Sequence, residues 1–212
     1  MRVSRLIASL VGVVLFAWRA EAQTVRPLTA DDLTQLSPSA RQTIARLGDS
    51  LRAVGLPDQP LYAKAAEGML KHASEARILA VVQTLAGELG EARRSLGSSV
   101  DDAELVAAAS ALHVGATPAM LRRLAAARDG VGPGAGSLAT PLVALTDLLV
   151  RRVPPTAATA AIDSLVTRRA PSGDFAALRA AVERDIEAGR SPEASVAART
   201  QTLLHNIDSR RP

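Results

Sequence analysis

The 212-residue sequence predicts an all-α protein built from stacked helical hairpins. Apolar residues recur at intervals of three and four along most of the chain, as they do on the buried face of a helix. Serine, threonine or proline precedes many of these runs and glycine often follows them, which marks helix starts and stops. Similar corner sequences recur roughly every 40 residues, in the range of helical-repeat arrays. We expect either an α-solenoid-like right-handed superhelix or an irregular helical bundle.

The first 22 residues have the order of a cleaved signal peptide. Arg2 and Arg5 precede the apolar run 6–18, and Ala20-Glu21-Ala22 forms a small-x-small cleavage site. This run is shorter than the roughly 20 residues of a membrane span. We therefore predict cleavage after Ala22, a mature chain that is periplasmic or secreted, and no integral membrane segment after cleavage. A retained N-terminal anchor is the alternative, because Arg19 lies unusually close to the cut.

Composition argues against several classes of function. The chain contains no cysteine, which excludes disulfides and thiolate metal sites. Without its first 22 residues it carries 22 basic and 20 acidic side chains, so the high isoelectric point reflects arginine, which does not titrate below about 12. Only Tyr62 and Phe175 remain as aromatic residues, and single-strand nucleic-acid grooves need aromatic stacking faces. We expect no nucleic-acid binding.

The predicted domain organisation is simple. Residues 23–36 form a linker and a short helix, and residues 37–212 form a single helical domain of about four hairpins with a glycine-rich loop at 129–137. Within this domain, helices are predicted to begin near Pro38, Asp58, Glu75, Val100, Ala119, Pro141, Ala158, Phe175 and Glu193.

Helix ends are predicted from their capping residues. Ser37, Thr117 and Ser191 each precede a proline and are predicted N-caps. Ser99 and Asp102 resemble a capping box, and Thr140 is a predicted cap for a helix that starts at Pro141. The hairpin that follows places Leu145 and Leu165 on apolar faces, and we expect both in the core.

The corner sequences align with one another. They read KHASEA at 71–76, VGATPA at 114–119, RRVPPT at 151–156 and AGRSPE at 188–193. Ser74, Thr117, Pro154 and Ser191 occupy the equivalent positions, 43, 37 and 37 residues apart. Because the capping chemistry recurs together with the apolar pattern, we favour a repeat architecture.

The most distinctive local cluster lies between residues 61 and 72. Lys64, Glu67 and Lys71 share one helix face, Gly68 lies beside them and Tyr62 lies opposite. Leu61, Ala65, Met69 and Leu70 are predicted to point inward. A glycine within a helix costs roughly 1 kcal/mol relative to alanine, so Gly68 suggests that another backbone or a ligand approaches closely.

Two interpretations of this cluster remain open. The charged residues form a solvated face whose ion pairs contribute about 0.2 to 0.5 kcal/mol each. Alternatively, Lys64, Glu67, Gly68 and Lys71 form a binding site for a partner protein or an anionic group.

No catalytic set is recognisable. His72, His113 and His205 are isolated in the sequence, and no zinc, nucleophile-elbow or phosphate-loop motif occurs. We therefore predict no catalytic residue, metal or cofactor. The leading hypothesis is a noncatalytic helical-repeat protein that binds an unidentified protein of the cell envelope. The alternative is a chaperone-like or amphiphile- or lipid-binding protein, which a deep apolar cleft would favour; a pocket gathering Glu67, a histidine and a hydroxyl would favour an enzyme.

Overall fold

The computed structural model describes residues 26–132 and 135–210, and all regular structure in these residues is helical. The predicted all-α class is confirmed. The predicted signal peptide, residues 1–22, lies outside the described residues. After a 3₁₀ helix at Ala30–Asp32 come α1 (Pro38–Ala53), α2 (Gln59–Leu70), α3 (Glu75–Leu96), α4 (Asp102–His113), α5 (Pro118–Val131), α6 (Ala139–Val150), α7 (Pro155–Thr167), α8 (Ser172–Glu187) and α9 (Pro192–Ser209).

Three predicted N-caps are confirmed. The side-chain oxygen of Ser37 accepts a hydrogen bond from the amide of Ala40 at 3.2 Å. The Thr117 hydroxyl likewise accepts from the third amide of α5 at 3.3 Å, and the Ser191 hydroxyl from the third amide of α9 at 3.2 Å. Each bond satisfies one of the amides that a helix start leaves without an internal partner.

The predicted caps of α4 and α6 are wrong, and α7 and α8 begin at Pro155 and Ser172, three residues before the predicted Ala158 and Phe175. The cap of α4 is Asp101, whose carboxylate accepts from the amide of Glu104 at 2.8 Å, while the Glu104 carboxylate accepts from the amide of Asp101 at 3.1 Å. Ser99 and Asp102 therefore do not form the capping box. Thr140 lies inside the first turn of α6, because the amide of Leu138 donates to Glu104 at 2.6 Å and a tertiary contact supplies the cap.

The four aligned corners share one backbone geometry. Each has a residue with positive φ two positions before the predicted cap: His72 (51°), Gly115 (105°), Arg152 (62°) and Gly189 (83°). The next amide donates to the carbonyl five residues back, as in the 3.0 Å bond from Ala73 to Gly68, which is the Schellman motif. Two corners thus use glycine and two use a residue with a side chain.

Helix α3 is the element against which the N-terminal half is arranged, and it packs against α1, α2, α4 and α5. The amide and hydroxyl of Ser37, before α1, donate to Glu75 at the start of α3 at 2.8 and 2.9 Å. Near the other end of α3, Arg93 donates to the carbonyl of Gly55, after α1, at 2.8 Å. Helix α1 therefore runs parallel to α3 over its length.

The remaining helices pack in two rows of alternate elements. Helices α4, α6 and α8 form the first row, and α3, α5, α7 and α9 form the second. Arg151, directly after α6, contacts Glu183 of α8 at 2.6 Å, and Arg123 of α5 contacts Asp163 of α7 at 2.7 Å. Apolar side chains fill the space between the rows, and both Leu145 and Leu165 are fully buried, as predicted. In the described part of the chain, no helix is both long enough and apolar enough to cross a bilayer.

Candidate functional site

The three charged residues of the predicted site meet on the outer face of α2. The Lys64 ammonium lies 2.8 Å from one carboxylate oxygen of Glu67, and the Lys71 ammonium contacts the other. Hydrogen bonds from Lys64 and then Lys71 lower the pKa of Glu67 below its usual value. All three side chains are partly exposed. We call Lys64, Glu67 and Lys71 the ion triplet.

Gly68, the fourth predicted site residue, lies on a different side of α2. A Cβ atom at this position would lie 2.7 Å from Cγ1 of Ile78, so the glycine gives room to a side chain of α3. The predicted close approach therefore involves the protein's own core. Tyr62 is buried against Gly48 of α1, and burial raises the pKa of its hydroxyl.

Leu70 was predicted to point inward, and this prediction is wrong. Its side chain is 80% exposed. The physical reason is helical phase: Leu70 follows Leu61 by nine residues, which at about 100° per residue places it on the opposite side of α2. Leu70 therefore lies on the outer face, near the ion triplet. The nine-residue spacing from Leu61, which is fully buried, is the sequence signal that predicts the exposure of Leu70.

Exposed large apolar side chains are few in the described residues. They are Val54 (67%), Leu70 (80%), Val106 (36%) and Val143 (38%). Val106 on α4 and Val143 on α6 each lie nine positions before the positive-φ residue of their corner. Because Leu70 lies on α2, Val106 on α4 and Val143 on α6, three of these four side chains lie on α2 or on the first row of helices.

The histidines do not converge. His113 of α4 lies 3.0 Å from a carboxylate oxygen of Glu88 in α3, and His72 and His205 are exposed on other elements. Within residues 26–132 and 135–210, no group of three histidine, aspartate or glutamate side chains is arranged to hold a metal ion.

A concave site of about 350 Å³ lies beside the glycine-rich loop. Its lining mixes apolar residues such as Val166 and Phe175 with two arginines and several hydroxyls. Arg128 contacts Glu104 at 3.4 Å, and Arg169 donates to the carbonyl of Val131 at 2.6 Å. The cations of this site are thus already bonded within the protein. The site contains neither Glu67 nor a histidine, and polar groups are interspersed among its apolar residues.

Sequence reasoning missed several buried carboxylates, and two of them, Glu104 and Asp147, have clear structural roles. Glu104 is 4% exposed and joins the starts of α4 and α6. Asp147 of α6 is 2% exposed and pairs with Arg179 of α8; burial raises its pKa, and the arginine opposes that shift. The three-residue spacing from Asp101 to Glu104 identifies the capping of α4 by Glu104 but not its contact with Leu138. Nothing in the sequence identifies the partner of Asp147.

The chain matches no protein-family model, and no curated protein or solved structure is similar to it at a significant level.

Proposed function

We propose that this protein is a noncatalytic interaction module of the cell envelope, a stack of about four helical hairpins that binds another protein through the outer face of α2. The observation that carries the proposal is the 80% exposure of Leu70 beside the ion triplet. An exposed apolar side chain bordered by ordered charges is a common composition for an interface centre and its polar rim.

Two features support the hairpin-stack architecture. Alternate helices pack in two rows, as repeated hairpins do when each buries its apolar face against its neighbours. The four corners also share the positive-φ residue and the bond from the following amide, at the 43, 37 and 37 residue spacing of the sequence. The proposed export to the periplasm or the exterior is supported by the signal-peptide pattern of residues 1–22.

The proposal is tested by crosslinking capture from the envelope of the cell that makes the protein. The wild type, a Lys64/Glu67/Lys71→Ala variant and a Glu91/Arg94→Ala control are compared by mass spectrometry. The control removes an exposed ion pair of the same kind from α3. One stoichiometric protein that is lost in the triplet variant and kept in the control supports the proposal.

A different outcome favours the second candidate, a chaperone-like or amphiphile-binding protein. That candidate draws on the apolar part of the concave site, including Val166 and Phe175. A diffuse set of captured proteins, or bound lipid with no stoichiometric partner, contradicts the specific module and supports this carrier function.

A further inference from the structure

Three consecutive residues at the C-terminal end of α2, Leu70, Lys71 and His72, are all exposed, and we call them the α2 tip. We propose that the α2 tip anchors an acidic segment of the partner protein, which places an apolar side chain on Leu70 and carboxylates beside Lys71 and His72. This inference rests on the proposed function and names the chemistry of the partner.

The backbone at His72 is the first observation. Its φ of 51° lies in the left-handed region, which strains a residue that has a side chain and does not strain glycine. Gly115 and Gly189 occupy two of the three equivalent corners, and Arg152 occupies the third. Arg169 also has positive φ, but its guanidinium hydrogen-bonds to the carbonyl of Val131. The His72 side chain makes no hydrogen bond or ion pair with the described residues, so it contributes no compensating contact there.

The distribution of charge at the corner is the second observation. Both nearby carboxylates are engaged within the protein: Glu67 by two lysines and Glu75 by the amide and hydroxyl of Ser37. The Lys71 side chain is 56% exposed, and its ammonium has three donors, of which Glu67 receives one. The groups that remain available to a partner at the tip are therefore the remaining donors of the Lys71 ammonium and the exposed imidazole of His72.

The apolar component is the third observation, and it favours a protein over a phosphate-rich polymer. Leu70 is the most exposed large apolar side chain in the described part of the chain. Burial of a leucine side chain against apolar surface favours binding, but a phosphate backbone offers no apolar surface. A peptide that alternates carboxylates with leucines satisfies both Leu70 and Lys71.

The experiment is a titration of the full chain followed by amide chemical shifts. The probes are a helical peptide with glutamates flanking leucines, the same peptide with lysine for every glutamate, the same peptide with serine for every leucine, and inorganic polyphosphate. We expect the acidic, leucine-containing peptide to move resonances of residues 63–77. The serine and lysine peptides should bind at least about five-fold more weakly, the loss expected when an energetically significant interface contact is removed.

Variants separate recognition from folding. His72→Gly relieves the left-handed strain, so its thermal midpoint should equal or exceed that of the wild type while peptide affinity falls. Lys71→Gln and Leu70→Ser should each weaken binding about five-fold or more. Arg152→Gly relieves an equivalent corner elsewhere, and Arg46→Gln removes an exposed cation from α1. Both controls should bind as the wild type does.

Several results overturn the inference. They are equal binding of the lysine peptide, binding of polyphosphate at the same resonances without dependence on Leu70, shifts centred on another element, and no binding of the acidic peptide. Failure here is distinguishable from failure of the proposed function. A captured protein that depends on the ion triplet but survives His72→Gly and Leu70→Ser leaves the module intact and rejects the acidic anchor.

Discussion

A Cβ atom on Gly68 would lie 2.7 Å from Cγ1 of Ile78, closer than two non-bonded carbons approach in folded proteins. The absence of a side chain at residue 68 therefore allows α2 to pack against α3 directly behind the ion triplet. Because Ile78 is branched at Cβ, its Cγ1 cannot move away without a change of rotamer. The glycine thus fixes the position of the helix that presents Leu70.

We expect Gly68→Ala to destabilise the protein although alanine is the better helix former. Overpacking a well-filled interface costs roughly 1 to 3 kcal/mol, and the helix propensity gained is about 1 kcal/mol. The measurement is the free energy of unfolding in urea, with Gly87→Ala as the matched control. Gly87 is also inside a helix, but a Cβ there meets nothing within 4 Å, so that variant should be about 0.5 to 1 kcal/mol more stable.

A double variant identifies the contact responsible. Ile78→Ala removes Cγ1, so the added cost of Gly68→Ala should disappear in the Gly68→Ala/Ile78→Ala protein. If the two substitutions instead add independently, the close approach of α2 and α3 is not the reason for the glycine.

Leu145→Ala and Leu165→Ala should each lower the free energy of unfolding by about 2 to 5 kcal/mol. Both side chains are fully buried, in α6 and α7, so each truncation leaves a cavity as well as losing apolar burial. Leu70→Ala is the matched control, because its side chain is 80% exposed and its removal should change stability by no more than about 0.5 kcal/mol. A large loss for Leu70→Ala would place that side chain in the core and contradict its role at the surface.

Asp185 should make stability depend on acid pH. Hydrogen bonds from the Arg199 guanidinium, at 2.8 and 2.6 Å, hold the pKa of this carboxylate below its ordinary value. Because its pKa is lower in the folded than in the unfolded state, the ionised Asp185 carboxylate stabilises the protein at pH values above its unfolded pKa of about 4. This contribution is lost as the pH falls through the lower pKa of the folded state.

Urea unfolding across this pH range measures the effect. The difference in free energy of unfolding between the wild type and Asp185→Asn should stay constant from about pH 7 to about pH 5. It should narrow below about pH 4. Arg199→Gln should reduce the same pH-dependent component, because it removes the largest cause of the lowered pKa while Arg190 and Arg184 remain. A difference that widens in acid would show that the pKa of Asp185 is raised.

The sequence predicts local features of this fold well because their causes are local. The caps at Ser37, Thr117 and Ser191 depend on residues within three positions of each hydroxyl. The start of α6 depends instead on Glu104, 34 residues before Leu138, so reasoning from Thr140 and its neighbours gives the wrong cap. Contacts of this kind become visible only when the packing of α4 against α6 is known.

The candidate site, like the fold, was predictable from the sequence only in part. Helical spacing predicts that Lys64, Glu67 and Lys71 meet, since residues three and four apart share a face. The role of Gly68 was ambiguous in sequence because either a ligand or another part of the protein could occupy the space, and only the position of Ile78 identifies the neighbour.

Arg152→Gly should stabilise the protein, and Arg169→Gly should stabilise it less or not at all. Both arginines have positive φ, 62° and 53°, and glycine relieves roughly 1 to 2 kcal/mol of strain at such a position. Part of this gain, about 0.4 to 1 kcal/mol, is offset because glycine also increases the freedom of the unfolded chain. Arg169 additionally donates to the carbonyl of Val131 at the end of α5, and glycine loses that bond.

Thermal and urea unfolding of the two variants give the comparison, with Arg46→Gly on α1 as a control that should be destabilising because glycine is unfavourable inside a helix. Equal stabilisation of Arg152→Gly and Arg169→Gly would mean that the bond to Val131 contributes nothing. A destabilised Arg152→Gly would mean that the Arg152 side chain makes a contact that outweighs the strain at its corner.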